Sequence, residues 1–205
     1  MQVGVARHYR IHYRKWRWIN STGFADFLRW YDGSEGCPRP GGPAGDVWQR
    51  CYSSDMLRAV ETATKLTRVP PTFMPLFREI PQAPLFDTRL KMPLIVWHVL
   101  SRIGWWFNHR SQPEGRRAAL KRVARIVDFL RRQPADQQVL IVTHGFLMYV
   151  LRRELKRSGF AGQIPTHPKC GEVYVFKRPA EWPAAVPSRP ASAAPSPVFR
   201  WNTRT

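Results

Sequence analysis

The run Val139-Leu-Ile-Val142, closed by Thr143-His144-Gly145, limits what this chain can fold into more than any other stretch. Consecutive apolar residues rich in β-branched side chains suit a strand covered on both faces, as a mostly parallel sheet between helices requires. A second apolar run near the start, Val3-Gly-Val-Ala6, ends on Arg7-His8. Parallel strands of an open α/β sheet finish on one edge, and ligands bind in the crevice outside those ends, so His8 and His144 can face one substrate.

Between them, Ser53-Ser-Asp-Met-Leu-Arg58-Ala leads from a strand over 48–52 into a helical pattern over 57–66. The helix N-terminus and Arg58 then converge on a natural anion site. An imidazole can be a neutral nucleophile or a proton donor near pH 7, and the guanidinium fork matches phosphate oxygens. Two histidines with Arg7 and Arg58 therefore suit phosphoryl transfer. Either histidine alone reads as readily as a structural residue at a strand end; the ordered combination carries the inference.

Arg7-His8, then Ser54-Asp-Met-Leu-Arg58-Ala-Val-Glu-Thr62-Ala63, then Thr143-His144-Gly145 resemble, in that order, the signature of the histidine phosphatase superfamily, the phosphoglycerate-mutase-like group. The resemblance spans roughly residues 2–178, and Leu76-Phe-Arg-Glu79-Ile is similar to the stretch with the family's acidic proton donor. Within the group the chain looks like the small bacterial members of unassigned substrate, since the mutase substrate-loop motifs are not apparent.

The resemblance implies a three-layer α/β/α fold with a mostly parallel central sheet, and hydrolysis of a phosphomonoester through a phosphohistidine on His8. It implies a phosphate cradle of Arg7, Arg58, His144 and Gly145, Glu79 as proton donor, and no cofactor. Arg7 and Arg58 would keep His8 neutral by like-charge repulsion and stabilise the phosphoryl charge. Gly145, without a Cβ, would let backbone and ligand approach closely. Glu79 would need burial to lift its pKa. Asp55 and Asp87 are its rivals; Asp55 is more simply an N-cap or first-turn residue of the helix that follows. Arg10 and Arg14 either join the cradle or are solvated loop cations.

Tyr9 stands where the family has glycine, and a phenol there would narrow the pocket or add a hydroxyl contact. Two other functions stay open: a phosphomutase, and a non-catalytic binder of phosphorylated or polyanionic ligands, for which Tyr9 is the main motive.

At 205 residues the chain supports one domain with a substantial core. Its net charge of +19, from 33 Lys and Arg against 14 Asp and Glu, favours anionic ligands. No helix-turn-helix, zinc-finger or RNA-recognition signature accompanies the charge, so a phosphorylated small molecule rather than a specific nucleic acid is the expected partner. Cys37, Cys51 and Cys170 form neither a disulfide framework nor a CxxC knuckle, which fits a reducing cytosol. His8 and His12 share helical spacing but lack the HExxH pattern, so no metal site is expected. Met1 leads straight into the first strand without a signal-peptide pattern, and a cytoplasmic location is the expectation. No oligomeric state is specified by the pattern.

Further along, Ser21 or Thr22 is expected to cap a helix running to about Tyr31, residues 33–45 read as a Gly/Pro-rich loop, and Ser111-Gln-Pro-Glu114 reads as a capping box with Pro113 in the first turn. The helix after it carries the stripe Leu120, Val123, Val127 and Leu130. A helix over 146–156 and a final strand over 172–176 complete a domain expected over 1–178, and the Pro/Ala/Ser-rich stretch 179–205 is expected to be a mobile tail.

Residues 92–107 are the most apolar stretch, inside an insertion at about 88–112, but too short to span a bilayer and interrupted by His98 and Arg102. The segment is either a cap across the active-site mouth, lined by Trp97, Trp105 and Trp106 and suited to a substrate with an apolar body, or an amphipathic helix making peripheral contact with a lipid surface.

Overall fold

A computed structural model describes residues 1–12, 18–37 and 47–178. Arg14, most of the Gly/Pro-rich loop and the stretch 179–205 lie outside the described residues. In chain order the elements are β1 (Gln2–Arg7), β2 (Trp18–Ile19), α1 (Ser21–Asp32), β3 (Arg50–Ser53), α2 (Leu57–Leu66), β4 (Pro71–Phe73), a 3-10 turn (Pro75–Phe77), β5 (Met92–Pro93), α3 (Leu94–Trp106), α4 (Arg116–Arg131), β6 (Gln138–Thr143), α5 (Gly145–Arg157), β7 (Ala161–Gly162) and β8 (Val173–Lys177).

The main sheet runs β4-β3-β6-β1-β8-β7. β4, β3, β6 and β1 are mutually parallel, while β8 runs antiparallel to β1 and pairs with β7. The two apolar runs are thus neighbours, with Val3 opposite Val139 and Arg7 opposite Thr143. Both strands are covered on both faces, and alternate residues of β6 feed different cores. Val139 and Ile141 join Val123, Ile126 and Val127 of α4 and Leu147, Leu151 and Leu155 of α5. Leu140 and Val142 join Ala59, Ala63 and Leu66 of α2. Each fully buried aliphatic side chain stabilises by roughly 1.5–3 kcal/mol, so the pleat that alternates them also fixes the register. The result is the expected α/β architecture.

Three local expectations change. The N-cap of α1 is Asn20, whose side chain accepts from Gly23 N; Ser21 instead donates from Oγ to Asp87 and accepts from Thr88 N. Asp55 does not cap α2, which Met56 precedes. The capping box does not form: α4 starts after Gly115, Asn108 Oδ1 accepts from Arg117 N, and Glu114 grips Arg122 through two bonds of 2.8 and 2.6 Å. A bidentate, charge-assisted pair outcompetes a carboxylate bond to a single N–H.

The aromatic segment forms β5, paired with β2, and then α3. Trp97, Ser101, Gly104 and Trp105 point inward at helical spacing. Trp97 is fully buried, stacks on Phe24 of α1 at 5.6 Å and donates from Nε1 to the Ile19 carbonyl. No helix among the described residues is long and apolar enough to cross a membrane.

Candidate active site

The parallel strands deliver their C-terminal ends to one edge. β1 leads to Arg7-His8, β3 to Ser54, and β6 to His144, while β4 leads through the 3-10 turn to Glu79. The ladder continues one residue past the strands, with His8 N donating to the Thr143 carbonyl (2.9 Å) and Ser54 N to that of Val142 (3.0 Å). Thr143 Oγ1 donates to the Phe77 carbonyl at 2.7 Å, which ties the end of β6 to the turn carrying Glu79.

His8 and His144 are both buried, with ring centroids 5.0 Å apart. His8 Nδ1 lies 2.6 Å from the Tyr9 carbonyl oxygen. A carbonyl only accepts, so Nδ1 carries the proton and the lone pair of the neutral ring is on Nε2. Burial, then the nearby charge of Arg58, then that of Arg7 push the His8 pKa down to about 3, against the bond to Tyr9. The expected repulsion by the arginines is present, though desolvation outweighs that of either one. His144 is likewise held well below its ordinary value, first by burial and then by His8 and the surrounding arginines. Its Nε2 lies 2.9 Å from Ser54 Oγ, which itself accepts from Met56 N.

Arg58, fully buried, reaches the end of α1: Nη1 donates to the carbonyls of Tyr31 (3.1 Å) and Asp32 (3.2 Å), and Nη2 lies 3.3 Å from Asp32 Oδ1. Arg7 donates from Nη1 to the Pro168 carbonyl at 3.0 Å. Its guanidinium lies against Gly145, where a Cβ would stand 3.1 Å from Arg7 Nε and 3.2 Å from Cζ. The glycine therefore makes room for Arg7. Arg7 Nε, Arg58 Nε and His144 Nδ1 are buried without a hydrogen-bond partner among the described residues.

Glu79 meets the N-terminus of α5. Its Oε1 accepts from Ile80 N and Leu147 N, both at 2.9 Å, and its Oε2 from Phe146 N at 3.1 Å. The rivals are engaged elsewhere. Asp87 holds Ser21. Asp55 takes two bonds of 2.6 Å from Arg78, which hold its carboxyl below the usual range.

A cavity of about 1190 Å³ is lined by Arg7, His8, Arg58, Glu79 and Gly145 together. His144 sits behind this wall, fully buried. Arg10 joins the lining; Arg14 is outside the described residues. Tyr9 does not line the cavity: its ring is buried among Ala6, Trp48 and Ala59. A Cβ on Gly171, at φ +74°, would come within 2.7 Å of that ring, so a glycine elsewhere makes the room that a glycine at position 9 would have made. Tyr9 N donates to Thr62 Oγ1, which in turn donates to the Arg58 carbonyl, linking the first motif to the second.

The tryptophans expected to line a cap lie elsewhere. Trp97 and Trp105 are buried and Trp106 is exposed, and none of them lines the cavity; α3 contributes His98 there. Residues not anticipated from sequence as site residues include Arg122, which bridges Glu114 and the carbonyls of Leu76 and Arg78. Arg102 lies 3.5 Å over the Phe146 ring; burial pulls its pKa down to about 10 while the charge of Glu79 pushes it back up. Their only sequence signal was an arginine within an otherwise apolar or solvated helix.

A mostly parallel sheet whose strand ends gather two neutral imidazoles, a buried arginine and a half-buried one defines an α/β protein of the phosphate-handling class. The model of the histidine phosphatase superfamily (branch 1) matches residues 44–178. The chain belongs to this superfamily. Membership supports activity of the phosphatase or phosphomutase type, and the geometry adds Arg7 and His8, which lie before the matched residues. Among solved structures, YhfR of Bacillus stearothermophilus is similar at 18% identity, with 85% of this chain and 89% of that one covered and a TM-score of 0.51. TTHB049 of Thermus thermophilus is similar at 22% identity, over 85% and 92% of the two chains, with a TM-score of 0.47. No curated protein matches.

Proposed function

We infer that this chain is a phosphomonoesterase acting through a phosphohistidine on His8. The observation that carries the reading is a neutral His8, its proton tied to the Tyr9 carbonyl, within a group that includes three buried nitrogens lacking partners. Unsatisfied buried polar groups are rare and call for a reason, and a phosphoryl group supplies one. Ser54 Oγ donates to His144 Nε2 in this reading, which leaves a proton on His144 Nδ1 and, with Arg7 Nε–H and Arg58 Nε–H, three donors without a partner among the described residues.

His8 Nε2 attacks phosphorus as the bond to the ester oxygen breaks, and Glu79 gives its proton to the departing alkoxide. Water then attacks the phosphohistidine, Glu79 takes its proton back, and phosphate leaves with His8 neutral. Oε2 of Glu79 accepts a single N–H, so it retains a lone pair for that proton. The arginines supply the positive charge that a metal ion would supply in other phosphoryl-transfer sites.

The cavity exceeds the space a phosphate needs and includes Phe27, Tyr31, Phe146 and Tyr149 in its wall, so the substrate is a phosphorylated small molecule with a sizeable body. Tyr9, the main motive for a catalytically silent binder, lies outside the cavity. Rates on a panel of alkyl, sugar and nucleoside monoesters, with chelator present, test the reading. Turnover by wild type and its loss in His8→Ala support it; undiminished turnover by His8→Ala overturns it.

A further inference from the structure

The same helix that walls the cavity on one side leaves an apolar stripe on the other. Ile95, Val99 and Ile103 recur at four-residue spacing, and Trp106 and Phe107 extend the row. All five are exposed, Ile95 at 67% and Phe107 at 74%. Val99, Ile103, Trp106 and Phe107 border a shallow hollow of about 450 Å³ that His98 also borders, so the stripe adjoins the cavity. A contiguous exposed apolar patch with a charged rim marks an interaction surface.

The charge around the stripe selects the occupant. Residues 88–113 contain no Asp or Glu but include Arg89, Lys91 and Arg110, all exposed. Arg117 is exposed beyond them, and Arg116 covers the Trp106 ring at 4.3 Å. A second copy of the chain would bring a like-charged rim and a like +19 charge to the contact. The stretch 179–205 carries Arg189, Arg200 and Arg204 against Glu181, which gives it the wrong sign as well. An anionic bilayer has both the apolar interior and the negative headgroups that this face matches.

We propose that the outer face of α3 docks on an anionic lipid surface, with Val99, Ile103, Trp106 and Phe107 entering the headgroup boundary and Arg89, Lys91 and Arg110 meeting lipid phosphates. This site is separate from the phosphatase reading and does not depend on it.

Flotation of the full chain with vesicles of phosphatidylcholine alone, and of phosphatidylcholine and phosphatidylglycerol in a two-to-one mixture, at physiological salt tests it. The wild type binds the mixed vesicles and not the neutral ones. The double variant Ile103→Ser, Phe107→Ser and a second pair, Ile95→Ser, Val99→Ser, each bind roughly tenfold or more weakly, because the apolar anchor is shortened while net charge is kept. Phe73→Ser, on the edge strand β4 and also exposed, binds as the wild type does. Equal binding by all variants would mean that net charge alone attracts the protein, and overturns the proposal. So would a wild-type dimer in lipid-free sedimentation that either α3 pair converts to monomer.

Discussion

The two sides of α3 obey different rules. Toward the protein, Trp97 is fully buried, satisfied at Nε1 and stacked on Phe24, and Arg102 and His98 reach the region of Glu79 and the cavity. Away from it, side chains just as apolar stand in solvent. Hydrophobicity alone therefore does not tell which aromatic of a rich segment is core. What decides is which side the short β2–β5 ladder and the α1 contact turn inward.

Substitutions along this helix sharpen the contrast. Trp97→Ala should destabilise by about 3–5 kcal/mol through cavity formation, as a denaturant titration would read. At the opposite extreme, Phe107→Ser should change stability by no more than about 0.5 kcal/mol. A large loss at Phe107 would show that the outer face is core to something within the chain.

The active-site histidines give the next largest effect. His8 and His144 are neutral and buried, with pKa values lowered from the ordinary 6.5. The unfolded chain therefore binds protons that the folded chain refuses as pH falls below 6.5, and stability drops with acidification. Linkage gives a loss of roughly 2 kcal/mol from His8 by about pH 5, growing toward its folded pKa, and His144 acts in the same direction. Thermal unfolding from pH 8 downward checks this. His8 itself should stay neutral to about 3, so kcat/KM should show no acid limb near 6.5 from the nucleophile.

Glu79→Gln separates a proton donor from a helix clamp. Loss of the proton should lower kcat/KM for alkyl phosphates by about a hundredfold while sparing kcat/KM for p-nitrophenyl phosphate, whose leaving group needs no acid, even though loss of the base for water slows the shared second step. An equal loss on both would assign Glu79 to positioning α5. Smaller still is Gly145→Ala: its methyl would crowd Arg7 at 3.1–3.2 Å, and a shift of the guanidinium should lower kcat about tenfold or less with stability little changed. Steady-state rates beside an unfolding curve make the split visible.

The placement of the strand-end histidines, Arg7 and Arg58 was legible in sequence because short motifs attached to buried strands inherit their position from the sheet edge, whereas Glu79 follows the short exposed edge strand β4 and was reached only through the family resemblance. The partners were not legible. Glu114 chose Arg122 over its helix N-terminus, Arg78 took Asp55, and Tyr9 found a place in the core because Gly171 left room beside it. Each of those outcomes depends on residues distant in sequence, where local propensity has nothing to say. The orientation of α3 is of the same kind, since its aromatic residues satisfy an inward and an outward reading equally until α1 is placed against Trp97.

The proposed reaction requires His8 to form a bond to phosphorus. Rapid acid-free quench of the wild type turning over a phosphorus-labelled monoester, followed by peptide mapping, measures that directly. An acid-labile label on the peptide containing His8, formed faster than free phosphate and absent from His8→Ala, is the predicted result. Steady hydrolysis with no labelled protein, or a label on any other residue, would contradict it.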